Sequence, residues 1–76
     1  MKSDRHSKEL IEFGRHLKKL REERQLSQEA LANDSDLSLS QISRMERGII
    51  SSSLSQLISI SKSLNISLPE LFSFLL

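Results

Sequence analysis

The chain contains no cysteine, tryptophan, tyrosine, valine or threonine, and only one proline and two glycines among 76 residues. Without cysteine there are no disulfides and no thiolate metal sites, which suits a protein working in a reducing cytoplasm. Valine, threonine, tyrosine and tryptophan are among the best strand formers, so their absence weighs against β-structure. No apolar run approaches the roughly 18 residues that span a bilayer. The opening MKSDRHSKEL has no apolar stretch of the kind a secretory signal needs, so the cytoplasm is the expected location. An excess of charge of one sign is also missing: 11 Lys and Arg face 10 Asp and Glu, a net charge of +1. The pI of about 8.2 lies below the ~9 common in strong nucleic-acid binders. Binding to nucleic acid would therefore require the charges to be sorted onto one face.

Fourteen leucines, seven isoleucines and three phenylalanines are present, 24 of 76 residues. That is well above the roughly one-fifth below which a chain tends to stay disordered. The expectation is one all-α domain over residues 8–76, preceded by a polar, flexible tail over residues 1–7. A first helix is predicted over about residues 8–24, with Leu10, Phe13, Leu17 and Leu20 as its buried stripe and Ile11 and Gly14 beside it. Arg15, Lys18, Lys19 and Arg24 alternate with Glu12, Glu22 and Glu23, which reads as a solvated face; the alternative is that Lys18 or Lys19 approaches a phosphate.

The stretch LSQEALANDSDLSLSQISRMERG, residues 26–48, reads as two short helices around a tight turn. Ser27 caps the first of them, with Leu26 and Leu31 as a hydrophobic staple. Ser38 caps the second, Gln41 completes a capping box, and Leu37 and Ile42 repeat the staple. Ile42 and Met45 then face the core. Ser38, Leu39, Ser40, Gln41 and Arg44 are left for the outer face and its N-terminal end. Gly48 stops the helix.

Ser53 with Gln56, and Ser67 with Glu70, predict capping boxes for a fourth and a fifth helix. Leu54, Leu57, Ile60 and Leu64 form the stripe of the fourth helix, and Asn65 ends it. Pro69 falls in the first turn of the fifth, where it is tolerated. Ile49 and Ile50 either tuck into the core or belong to a subunit interface. Phe74, Leu75 and Leu76 exceed what one small core needs and are read as part of a dimer surface, with packing against the first helix as the alternative.

No catalytic or cofactor pattern emerges. His6 and His16 are ten residues apart without a metal or catalytic partner pattern, the first expected in the tail and the second exposed. The serines lack a base and orienting group, and several are already explained as caps. The chain is not expected to be an enzyme or to carry a cofactor or metal.

LSQEALA, SQISRMERG and LSQLISISKSLNISLPELF stand in the order and spacing of the phage repressor and Cro-like (XRE) helix-turn-helix family, which the chain resembles over roughly residues 13–72. The resemblance implies a compact five-helix bundle of the phage-repressor type, with helices two and three forming the helix-turn-helix. It implies a transcriptional regulator that binds double-stranded operator DNA, usually as a homodimer at a roughly palindromic site. It places Gln28 against a phosphate, presents Leu39, Ser40 and Arg44 to base edges, with Ser38 and Gln41 beside them, and pairs Arg21 with Glu46 in a structural salt bridge. Two departures stand out. Asp36 replaces the usual turn glycine, and the loop over residues 49–52 lacks the usual basic residues, leaving phosphate contact to Arg47, Ser51, Ser52 and the backbone. The family includes restriction-modification controllers and antitoxins, between which the residues do not choose. A rival reading keeps the fold but makes the chain a protein-interaction module, such as an antitoxin-like or adaptor subunit, that binds DNA weakly.

Overall fold

A computed structural model describes residues 5–49 and 51–75, the last without its side chain. Five helices follow one another: α1 over Ser7–Glu23, α2 over Gln28–Asp34, α3 over Leu39–Glu46, α4 over Leu54–Leu64 and α5 over Leu68–Leu71. A 3-10 turn over Ser73–Leu75 completes the described chain. The described residues contain no strand, and the architecture is the expected all-α one.

A single local device recurs along the chain. Helices α1 to α4 each end on a left-handed residue: Gln25 at φ 57°, Asp36 at 59°, Gly48 at 71° and Asn65 at 57°. The next residue sends its N–H five positions back, from Leu26 to Arg21, Leu37 to Ala32, Ile49 to Arg44 and Ile66 to Ser61, at 2.9–3.2 Å. This Schellman closure satisfies carbonyls that the helix leaves unpaired. At three of the four ends the following residue is a serine that caps the next helix. Ser27 Oγ accepts from Ala30 N–H, Ser38 from Gln41 and Ser67 from Glu70. Leu26, Leu37 and Ile66 thus close one helix while standing just before the cap of the next, and all three pack against the core. Only Ile49 breaks the pattern. A loop rather than a cap follows it, and it stays 58% exposed.

Leu17, Leu31, Ile42, Met45, Ile60, Leu64 and Leu71 are fully buried at the centre. Each such side chain contributes about 1.5–3 kcal/mol of burial. Helix α3 lies against both α1 and α2. Against α1 the approach is backbone to backbone: a Cβ on Gly14 would sit 2.5 Å from the carbonyl oxygens of Met45 and Glu46. A Cβ on Gly48 would likewise lie 2.6 Å from Ile11 Cα.

Several surface expectations change. Leu54, placed in the stripe of α4, is 66% exposed, because the capped first turn projects beyond the core. Leu10 is half-buried. With Phe13, Leu57, Phe72 and Phe74 it lines an open groove of about 250 Å³. His16 is half-buried rather than exposed. Its Nε2 lies 3.0 Å from the Glu70 carbonyl and 3.3 Å from Ser73 Oγ, pinning α5 to α1. At Ser67 the hydroxyl caps α5, but the reciprocal bond that completes the boxes at Ser38 and Ser53 is not formed. Helix α1 begins one residue before the expected start, with the Leu10 N–H bonded to the His6 carbonyl.

Candidate nucleic-acid interface

The interface is built on α2, the turn and α3. The turn needs one residue with positive φ, and Asp36 supplies it where the resemblance led one to expect glycine. The Ser35 hydroxyl, buried in the same turn, donates to the Leu31 carbonyl at 2.6 Å, so the bend leaves no polar group stranded. Helix α3 then starts from a complete capping box. Gln41 N–H donates to Ser38 Oγ at 3.1 Å, and Ser38 N–H donates to Gln41 Oε1 at 2.9 Å.

At about 100° per residue, the outward positions of α3 sweep an arc of roughly 140° in the order Leu39, Ser43, Arg47, Ser40, Arg44. Leu39, Ser40, Arg44 and Arg47 are exposed and Ser43 is half-buried, whereas Ile42 and Met45 on the other side are buried, as is Glu46 two turns beyond Leu39, where α1 covers the helix. Gln41 falls outside the arc, half-buried, with its carbonyl turned back onto Ser38. Arg47 is tethered loosely, its Nε donating to the Ser43 carbonyl at 3.3 Å. Arg44 makes no ion pair among the described residues. The face therefore offers one free guanidinium, one hydroxyl and one aliphatic side chain at the narrow end of a helix. Arg can make two hydrogen bonds to guanine O6 and N7, and an aliphatic group suits a thymine methyl.

The opposite end of α3 is anchored. Arg21 Nε donates to Glu46 Oε2 at 2.7 Å and Arg21 Nη2 to Glu46 Oε1 at 3.1 Å. Arg21 Nη1 adds a bond of 2.6 Å to the Leu26 carbonyl. The side chains of the pair are only 10% and 3% exposed. The hydrogen bonding to Glu46, reinforced by the charges of Glu46 and Glu22, holds the Arg21 guanidinium above its already high ordinary pKa despite the opposing effect of burial. Gln28, the first residue of α2, donates its Nε2 to Glu46 Oε1 at 2.9 Å. The amide placed against a phosphate by resemblance is thus already bound into the ion-pair network, with one N–H hydrogen remaining.

The residues assigned to a subunit interface are scattered differently. Ile49 is exposed. Phe74 packs its ring 5.8 Å from Phe13 and 5.7 Å from His16, both on α1. Ile50, Leu76 and the Leu75 side chain lie outside the described residues.

Two residues that position this site escaped the sequence reading. Arg24, taken for a solvated cation, donates Nε to the Leu64 carbonyl at 2.7 Å and Nη1 to the Leu20 carbonyl at 2.9 Å, tying the end of α1 to the end of α4. Nothing local to Arg24 announces this. Gly14 did carry a signal: a glycine inside a helix costs about 1 kcal/mol relative to alanine, which calls for a close approach to explain it.

A capped helix pair with an outward N-terminal face on its second helix defines a helix-turn-helix DNA-binding protein. The helix-turn-helix family HTH_3 matches residues 17–71, and the chain belongs to this family of DNA-binding transcriptional regulators. It is 48% identical over 64 residues to the control protein C.MunI of Mycoplasma sp., covering 83% of this chain and 86% of that one. It superposes with a TM-score of 0.82 on the restriction-modification controller protein C.AhdI of Aeromonas hydrophila, at 40% identity over 83% of this chain and 96% of the other. The clp gene regulator ClgR of C. glutamicum shares the fold at a TM-score of 0.81 and 24% identity, covering 87% and 86% of the two chains. Among the described residues, no helix is long and apolar enough to cross a membrane. Among the described residues, no group of three or more His, Cys, Asp or Glu is placed to hold a metal ion.

Proposed function

We propose that this protein is a restriction-modification controller, a cytoplasmic homodimer that binds a roughly palindromic operator with α3 in the major groove. The observation that carries this reading is its near end-to-end likeness to two controller proteins, over 86% and 96% of their lengths. The exposed arc of α3 supports the mode of binding. Arg44 and Ser40 contact base edges and Leu39 lies beside them. Arg47, the remaining Gln28 amide hydrogen, the Gln41 amide and the Ser38 end of the helix serve the phosphates. Phosphate contacts fix the register, and base contacts choose the sequence.

Ile49 supports the dimer. Its counterparts at the other helix ends, Leu26, Leu37 and Ile66, are half-buried against the core, while it remains 58% exposed, next to the Gly48 that meets Ile11, itself 41% exposed. Phe74, half-buried against α1, and Ile50, Leu76 and the Leu75 side chain, which lie outside the described residues, are the further candidates for the subunit surface. A two-fold dimer sets its recognition helices about 34 Å apart, one turn of DNA. Occupancy of the operator then blocks or recruits polymerase.

Selection from random duplexes tests the reading. The expected product is a two-fold-symmetric site bound with an affinity that falls steeply as salt rises, through counterion release. Enrichment of no duplex, or of a single unrepeated half-site by a monomer, overturns it.

A further inference from the structure

We infer that Leu39 is a specificity-determining residue that reads the 5-methyl group of a pyrimidine, so that the protein distinguishes thymine from uracil and 5-methylcytosine from cytosine at one position in each half-site. The inference rests on the DNA-binding reading above and narrows what the N-terminal edge of α3 can recognise.

Apart from the Ser40 hydroxyl, about 100° around the helix from Leu39, the side-chain acceptors at that edge are already engaged. The Ser38 hydroxyl accepts from Gln41 N–H, and the Gln41 carbonyl accepts from Ser38 N–H. Gln41 is the only amide side chain on α3 and the natural candidate to read adenine, a task that needs its carbonyl and its NH2 presented outward together. The capping box turns that carbonyl inward, and the position lies outside the exposed arc. What remains at the leading edge is Leu39, which is 48% exposed in the free protein. An aliphatic side chain has no hydrogen bond to offer a base. The major-groove feature it can match is the methyl group at pyrimidine C5, the apolar element of that groove. At the other edge of the arc Arg44 supplies the hydrogen-bonding reader, some 140° away around the helix. The two therefore address different base pairs, one by hydrogen bonding and one by exclusion of water.

Burial of one methyl-sized group corresponds to about a fourfold change in affinity, so removing the methyl from both half-sites should weaken binding about fifteenfold. The test uses a duplex enriched by the random selection. Each thymine is replaced in turn by deoxyuridine, which deletes the methyl and leaves every hydrogen-bonding group in place. One symmetric pair of positions is expected to show the loss with the native protein. Leu39→Ala, at an exposed site and with a better helix former, should keep the melting temperature and bind thymine and deoxyuridine duplexes equally at that pair. A cytosine·guanine pair placed there should gain about fourfold per half-site on C5 methylation, with the native protein only. Deoxyuridine replacements that nowhere weaken the native protein, a methylation without effect, or the same deoxyuridine profile in Leu39→Ala would each overturn the inference while leaving the DNA-binding reading intact. Failure to enrich any duplex would overturn that reading first.

Discussion

The two ends of α3 are held by different physics. Its N-terminal end is fixed by residues three apart: Ser38 and Gln41 exchange two hydrogen bonds, and Leu37 packs against the core just before the cap. Its C-terminal end is fixed by residues from the far side of the sequence. Arg21 grips Glu46, and Gly14 and Ile11 bring the backbone of α1 against Met45, Glu46 and Gly48. The difference matters because the N-terminal end must face DNA. A local cap satisfies the helix without burying its outer side chains, whereas anchorage by another helix necessarily covers what it holds. Reading and anchoring are thus separated around the helix as well as along it: Arg44 lies in the last turn but on the face away from Glu46.

The contrast can be broken at the anchored end first. Glu46→Ala leaves the Arg21 guanidinium buried without its partner and should cost about 3–5 kcal/mol, a large part of a small domain's stability. Urea unfolding checks this, and a loss below 1 kcal/mol would show that water or a neighbouring carboxylate replaces the partner. Gly14→Ala should cost about 1–3 kcal/mol, since the methyl would force α1 and α3 apart. Better helix propensity returns only about 1 kcal/mol. If the variant instead gains stability, the backbone contact is looser than described.

On the exposed face the expected effects move from stability to recognition. Arg44→Ala should change stability by no more than about 0.5 kcal/mol, because no described ion pair depends on it. It should relax one base position per half-site by about 1–3 kcal/mol, measured by repeating the duplex selection. An unchanged base preference would remove Arg44 from the readout. The smallest effect belongs to the cap. Ser38→Ala should cost about 1 kcal/mol and Ser38→Gly only a few tenths, a ranking that thermal melts can resolve. Equal losses would point to tertiary packing rather than the hydroxyl as the brake on fraying.

Much of this architecture is legible because it is local. The cap at Ser27 and those at Ser38, Ser53 and Ser67, together with the stops at Asp36, Gly48 and Asn65, follow from residue types a few positions apart. Gln25 was not legible as a left-handed residue, since glutamine has no special tolerance for positive φ and only the paired closure onto Arg21 and Glu22 holds it there. Leu54 misled because a helical stripe says which residues share a face, not how far the neighbouring core extends along it. Arg24 and His16 looked like ordinary surface residues because their partners, the carbonyls of Leu64 and Glu70, lie 40 and 54 positions away.

The sequence by itself determined where α2 to α5 begin, where α3 and α4 stop, and which side of α3 is apolar, because capping and periodicity act over three to seven residues. Only the tertiary structure decided how near α1 comes to α3, that Gln28 joins the Arg21–Glu46 pair, and that Arg24 and His16 tie α1 to α4 and α5. Those outcomes depend on the meeting of segments distant in the chain, where close packing and the pairing of buried polar groups allow few arrangements.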